Sequence, residues 1–349
     1  MKILYGLPSE GMGHATRSKV IIEHLLQTHD VQIVTSDRAF TFLSKHFPGR
    51  VHQIEGFHLA YTNAVVSVGK TILMTFKNAP KNFVRNFNQY NDTIKQFNPD
   101  VVISDFESFT HFYAKLHRKP LISIDNMQII HRGQLDIAIP DSEKANYKLA
   151  KQLIKAKVSG ADHYVITTFF QPPIRKPNTT YVDAILRDEI IEAKTTYQNH
   201  ILVYQTSTSQ QDLIQQLTQI PQEQFIVYGL HKDEVHENVV LKKFSEDEFI
   251  ANFASCKAVL ANGGFSLLSE AVYLRKPVMS VPIQQQFEQF VNASYIEKLG
   301  YGRHFDAFAP DNIKAFLYDL EHFKLQLGKV KQKGNTHTFD VIDGLLKEI

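Results

Sequence analysis

Between Ala261 and Pro282 the chain reads ANGGFSLLSEAVYLRKPVMSVP, an order of residue types suited to holding a phosphate. A short apolar run, Ala258 to Leu260, leads into Asn262-Gly263-Gly264, and a helix is expected from about Ser266. Two glycines between a strand and a helix permit a tight turn and a close approach of a ligand to the backbone. The free N–H groups and positive dipole end of that helix favour an anion by about 0.3–1 kcal/mol, somewhat more when sheltered. One turn further on, Glu270 could accept hydrogen bonds from a sugar diol. Phosphate donors followed by a carboxylate suggest a nucleotide site. Strand–Gly-Gly–helix turns also occur in proteins with no ligand, and Glu270 could equally be a solvent-facing helical glutamate.

A second group of candidates stands far from the first in sequence. The segment LPSEGMGHATRS, residues 7–18, puts Gly11 and Gly13 just ahead of His14 at the entrance of an expected helix. Its spacing is not the G-x-G-x-x-G of a dinucleotide site. A loop histidine there is a group that could remove a proton from a hydroxyl, and a positioned base of this kind contributes typically 10²- to 10⁴-fold to a rate. Asp105 ends the apolar run Val101 to Ser104, so it and His14 should both border one crevice beyond the carboxyl ends of parallel strands. A carboxylate bonded to one imidazole nitrogen orients the ring, as in hydrolase triads. The competing roles are structural: His14 as a group bonding the glycine loop, and Asp105 as a helix N-cap.

The elements that must position these residues alternate. Lys2–Gly6, Val31–Thr35, Val51–Glu55, Val101–Ser104, Pro120–Ser123, His163–Ile166 and Tyr181–Ile185 read as strands, with helices between them, which predicts βαβ units and a parallel sheet. A new α/β set begins at Ile201–Gln205 and runs through Gln224–Tyr228 and Val239–Leu241 to the Gly-Gly stretch. The expected division is residues 1–185, a linker over 186–199, a second domain over 200–325, and a tail over 326–349 that could pack back on the first domain. The stretch Phe57 to Ala79 breaks the rhythm. The basic, apolar run that continues to Arg85 contains Lys70, Lys77 and Lys81 and no acidic partner, which suits either an amphipathic helix on the sheet or a patch resting on lipid.

The continuation PIQQQFEQFVNASYIEKLGYG, Pro282 to Gly302, completes a resemblance. From Ala261 to Gly302 the sequence is similar to the donor-binding segment of GT-B glycosyltransferases, especially those like the peptidoglycan N-acetylglucosaminyltransferase. The loop Glu10, Gly11, Gly13 and His14 resembles their acceptor-side loop. The resemblance implies two Rossmann-like doubly wound domains facing across a cleft. It implies that Asn262, Gly263, Gly264 and Ser266 hold a donor diphosphate, that Glu270 binds ribose, and that Gln285, Glu288 and Gln289 hold the sugar, with Asn292 behind them. Phe244 falls where the nucleobase lies, and His14 with Asp105 would take the acceptor proton. After Ile201–Gln205, where many relatives carry glycines, this chain has TSTSQ, so Thr206 would offer a hydroxyl to phosphate instead. Glu288 stands where the family often has Gln or His, which leaves the sugar open.

Bulk properties narrow the alternatives. The chain has 349 residues, 43% hydrophobic and 21% charged, with a formal net charge of +2. That charge is too small to argue for a nucleic-acid partner. One cysteine, Cys256, excludes a disulfide framework and suits a reducing cytoplasmic setting. No metal site and no cofactor are expected: the 16 histidines show no paired spacing beside a carboxylate, and there is no G-x-S-x-G nucleophile elbow. The expected activity is inverting, metal-independent transfer from a nucleotide diphosphate sugar, a UDP-sugar first of all, to a hydroxyl of a glycan or lipid-linked acceptor. Peripheral contact with the inner face of a membrane is a further expectation. Two alternatives stay open, a UDP-N-acetylglucosamine 2-epimerase-like enzyme and a non-catalytic nucleotide-sugar binding protein. Ala261-Asn262, where epimerases carry Asp-Ser, counts against the former.

Overall fold

The computed structural model describes residues 1–9, 12–54, 93–205 and 212–349, with the backbone of 61–62 and 65–66. Apart from those four backbone positions, the loop Phe57 to Ala79 that breaks the sequence rhythm, and the basic run that continues to Arg85, lie outside the described residues.

Two seven-stranded sheets carry the chain. The first contains β1 (Lys2–Gly6), β2 (Asp30–Thr35), β3 (Val51–Gln53), β6 (Val101–Ser104), β7 (Leu121–Asp125), β8 (His163–Thr167) and β9 (Thr179–Val182), in the order β3-β2-β1-β6-β7-β8-β9. The two-residue strands β4 (Tyr61–Thr62) and β5 (Val65–Val66) pair only with each other. Every pairing in the first sheet is parallel. Parallel strands are covered on both faces, which is why β6 and β7 are buried at every position. One face packs Ile3, Tyr5, Ile33 and Ile103; the other packs Leu4, Val34, Val102 and Tyr113.

The second sheet repeats the plan. Its strands are β10 (His200–Tyr204), β11 (Gln224–Tyr228), β12 (Glu234–His236), β13 (Val239–Leu241), β14 (Ala258–Ala261), β15 (Val278–Ser280) and β16 (Gly302–His304), in the order β12-β13-β11-β10-β14-β15-β16. All are parallel except the edge strand β12. The sequence pattern predicts neither β12 nor β16. Both are three-residue edge strands with polar side chains, so neither shows the continuous apolar run of a central strand. Pro310–Tyr318 and Leu320–Leu327 are separate helices that meet at Asp319.

In each sheet the strand order reverses beside its first strand, between β1 and β6 and between β10 and β14. Ligands of doubly wound folds bind beyond the carboxyl ends of the strands at such switch points. The fold is therefore two Rossmann-like domains, each with its switch point at a predicted site. The final helix, Thr336–Lys347, lies against β8 and β9, and its Ile342 and Leu346 belong to the core of the first sheet.

Candidate active site

β1 feeds helix Met12–Leu25, and the first turn of that helix carries His14. Positions three and four apart share a helix face, so Arg17 and Ser18 stand beside His14. All three converge on Asp105, the residue after β6. His14 Nδ1 lies 3.0 Å from Asp105 Oδ1, and Arg17 donates from Nε and Nη2 to Oδ2 and Oδ1 at 3.0 and 2.5 Å. Ser18 Oγ donates to Oδ2 at 3.1 Å.

Asp105 is fully buried. Burial alone would raise its pKa, but the Arg17 guanidinium and the His14 ring hold it well below the usual carboxylate range. It is not the cap of the following helix. Glu107 caps Ser108–His117, its carboxylate accepting from Phe109 and Thr110 N–H at 2.7 Å each, and Asp105 is left to face the histidine. Two groups compete for His14 Nδ1: Arg17 Nη2, at 2.6 Å, can only donate to it, and Asp105 Oδ1, at 3.0 Å, can only accept from it. In the tautomer that places the ring proton on Nδ1 and donates it to Asp105, Nε2 is the nitrogen with a free lone pair. Neighbouring Asp125 has the opposite fate. Burial and the Asp105 charge push its carboxyl up to about 6, against hydrogen bonds from Gln128 N–H and Ser123 Oγ.

The second group assembles around Gly263-Gly264. A Cβ on Gly263 would stand 2.3 Å from the Gln289 carbonyl oxygen, so only glycine lets the turn press against helix Phe287–Lys298. Gly263 N–H donates to Gln289 Oε1 at 3.0 Å, Asn292 Nδ2 donates to Gly263 O at 3.0 Å, and Asn262 Nδ2 donates to Val281 O at 3.0 Å. Gln289 Oε1 also accepts from Ile283 N–H, while its amide nitrogen donates to Gln286. These three side chains buckle the turn. What remains open is Gly264, the N-cap of helix Phe265–Tyr273: a Cβ there meets nothing within 4 Å, and no side chain caps the helix. The first-turn N–H groups at Phe265 and Ser266 are thus free for an anion.

The two groups come together. A Cβ on Gly13 would lie 2.7 Å from Ser266 Oγ, so the histidine-bearing turn abuts the start of the helix after Gly-Gly. Glu288, in the first turn of Phe287–Lys298, accepts from Asn126 of the first domain at 2.6 Å. Glu270 is buried with both oxygens held by Arg187 at 2.8 and 2.9 Å, and Arg187 Nη1 reaches Glu246 at 2.9 Å. Burial pushes the Glu270 carboxyl up, against the pull of Arg187. Gln285 is exposed and adopts φ 66°, in the left-handed region. Phe244 is exposed, with its ring 5.4 Å from that of Phe249. Glu10, Gly11 and Thr206 lie outside the described residues.

Sequence reasoning missed Arg17, Asn126 and Arg187. Arg17 is signalled only by its spacing from His14, and Asn126 only by following Asp125 at a strand end. Lys276, a cation close to the Gly-Gly turn in sequence, is fully buried with its amine on the carbonyls of Cys256 and Thr196, so it faces no ligand. Among the described residues no three His, Cys, Asp or Glu side chains converge as a metal cluster, and no helix is long and apolar enough to cross a membrane.

Known proteins carry the same architecture. An uncharacterized glycosyltransferase of Methanosarcina mazei is 23% identical over 339 residues, covering 90% of this chain and 88% of the relative. A second, from Methanosarcina acetivorans, is 22% identical over 346 residues, with the same coverage. Among solved structures, the spinosyn rhamnosyltransferase SpnG complexed with thymidine diphosphate superposes with a TM-score of 0.69 at 15% identity, over 99% of this chain and 100% of that one. A UDP-glucosyltransferase from Polygonum tinctorium superposes with a TM-score of 0.69 at 13% identity, over 99% and 98% of the two chains. The family model described as Glycosyl transferase family 1 matches residues 1–321, nearly the whole chain, and the protein therefore belongs to that family as a glycosyltransferase of GT-B fold.

Proposed function

We propose that this glycosyltransferase moves a sugar from a nucleoside diphosphate sugar, a UDP-sugar first of all, to an acceptor hydroxyl with inversion and without a metal. The observation that carries the reading is the juxtaposition of His14–Asp105 with the uncapped helix start at Gly264–Ser266. The acceptor oxygen attacks the anomeric carbon as its proton passes to His14 Nε2. The bond from that carbon to the diphosphate oxygen breaks, and the electron pair leaves with the diphosphate. The backbone donors of Gly264–Ser266 face the charge that develops there, in the manner of an oxyanion hole. Deprotonation of the acceptor by one base as it attacks makes the transfer a single displacement, hence inversion. The helix dipole takes the place of a cation at the leaving group.

In this reading Glu270, held by Arg187, binds the ribose diol, Phe244 borders the base, and Glu288 and Gln285 face the sugar. Gln289, Asn262 and Asn292 act one step back, by shaping the turn. The likeness of Ala261–Gly302 to the peptidoglycan N-acetylglucosaminyltransferase makes UDP-N-acetylglucosamine the first donor to try. The basic run that follows Phe57 in the sequence is what points to a glycan or lipid-linked acceptor on the cytoplasmic face of a membrane. The test is calorimetry with UDP, dTDP and GDP on wild type and His14→Ala, together with UDP release from UDP-sugars. UDP should bind both proteins alike, with turnover lost in the variant. Absence of nucleotide binding, or full turnover by His14→Ala, overturns the reading.

A further inference from the structure

One buried amide joins the two halves of the cleft. Asn126 follows β7 and is buried; its Oδ1 accepts from Arg17 Nη1 at 3.0 Å and its Nδ2 donates to Glu288 Oε1 at 2.6 Å. Arg17 grips Asp105, and Asp105 meets His14, so a continuous line of hydrogen bonds runs from the histidine of the first domain to the first turn of a helix in the second. We propose that Asn126 is a positioning residue that sets Glu288 against the His14–Asp105 pair, so that one side chain aligns the donor sugar with the base. The inference rests on the roles given above to His14 and Glu288.

The chemistry of the position selects an amide. One neighbour is a guanidinium, which only donates, and the other a carboxylate, which only accepts. A short side chain between them must accept on one side and donate on the other. Aspartate would present acceptors to both, and glutamine would add a methylene between partners that asparagine already reaches at 3.0 and 2.6 Å. Charge points the same way. Arg17 and Asp105 neutralise each other at 2.5 Å, so the Glu288 carboxylate is oriented by a neutral donor. Its second oxygen remains for sugar hydroxyls, and a hydrogen bond to an ionised group is about twice as strong as a neutral one.

The contact is not what holds the domains together. Phe287, Val291 and Tyr295 of the second domain pack with Ile129, Ile154 and Phe170 of the first, and the Tyr295 hydroxyl donates to Asp136 at 2.6 Å. Removing Asn126–Glu288 should therefore leave the domain interface in place and disturb alignment alone.

The experiment is a polarity swap in the full-length chain. Asn126→Asp keeps an acceptor for Arg17 and turns a carboxylate on Glu288; Glu288→Gln in the same chain restores a donor–acceptor pair with its polarity reversed. Affinity is read for UDP and for UDP-N-acetylglucosamine or UDP-glucose, whichever wild type binds more tightly, with UDP release as the rate. Asn126→Asp should bind UDP as wild type does. It should bind the UDP-sugar about ten- to a hundredfold more weakly, with a slower rate, and the double variant should recover part of that loss, because its glutamine restores the pairing with residue 126 but not the ionised acceptor. Unchanged affinity for the UDP-sugar in Asn126→Asp overturns the inference, as does a loss that Glu288→Gln fails to rescue. Equal losses for UDP and UDP-sugar overturn it too, because they mark a structural effect. A wild type that binds UDP but whose His14→Ala variant turns over normally sinks the base reading alone. If wild type binds no UDP, both readings fall.

Discussion

Arg187, in the segment between β9 and β10, grips both oxygens of Glu270 at 2.8 and 2.9 Å in a bidentate pair that is almost wholly buried. The geometry is the strong fork of guanidinium on carboxylate, and it fixes the Glu270 rotamer before any ligand arrives. Removing one member of such a pair leaves the other charge buried and uncompensated. Arg187→Ala should cost about 3–5 kcal/mol of stability, and Glu270→Gln in the Arg187→Ala background should recover part of it. Urea midpoints of the two variants and wild type measure this; a loss below about 1 kcal/mol would show the pair to be solvated instead.

His14 and Asp105 should separate when stability and activity are read together. His14→Ala removes a partly exposed ring and should leave the urea midpoint near that of wild type, while UDP release from the donor falls about 10²- to 10⁴-fold. Asp105→Asn strips the counter-charge from buried Arg17 and should cost about 3–5 kcal/mol as well as activity. A stable Asp105→Asn protein would show that Arg17 finds its charge balance elsewhere.

The two glycines of the turn should fail differently. Gly263→Ala drives a methyl into the Gln289 carbonyl and should cost about 1–3 kcal/mol, disturbing the whole turn. Gly264→Ala meets no protein atom within 4 Å, so the protein should keep its stability. If the open space beside Gly264 holds the diphosphate, UDP affinity falls in the same variant. Thermal midpoints and UDP calorimetry on both substitutions decide it.

Acid and neutral stability should respond to two carboxyls of opposite sign. Asp125 sits near 6 in the folded chain against 3.8 in the unfolded one, so between these values the folded state binds the extra proton and stability falls as pH rises. The size is about 3 kcal/mol across that window. Asp125→Asn, which preserves an acceptor for Gln128 N–H, should flatten the fall when urea midpoints at about pH 4.5 and 7.5 are compared. Asp105 is depressed instead. Its contribution is present above the unfolded value of 3.8 and is lost as pH drops below it.

Much of this was readable in the residues, and the reasons are specific. β1, β6 and β14 are short runs of Val, Ile, Leu and Ala between polar or glycine stops, so strand, turn and helix follow in sequence. The turn announces itself by its paired glycines, of which Gly263 is the one whose place against Gln289 admits no side chain. What was not readable is who holds whom. Gln289 looks like a sugar ligand because its amide suits hydroxyls; the same amide suits the Gly263 and Ile283 N–H groups, and only the packed turn shows that it serves them. Arg187 lies 83 residues from Glu270, and Asn126 lies 162 from Glu288. A lone cation between β9 and β10 and an asparagine at a strand end carry no periodic mark, so these pairs emerge only once both sheets have formed.

The packing of helix Thr336–Lys347 against β8 and β9 bears on how the polypeptide is born. Ile342 and Leu346 fill the core of the amino-terminal sheet, and His24 on its first helix stacks on Phe339 at 4.0 Å. Domains ordinarily fold one after another as they leave the ribosome. Here the first domain emerges early and must wait, one apolar face incompletely covered, until the second domain and then Thr336–Lys347 have been made. Nascent chains stalled before Thr336 should accordingly recruit chaperones and proteases, because completion of the amino-terminal half waits on synthesis of the whole second domain.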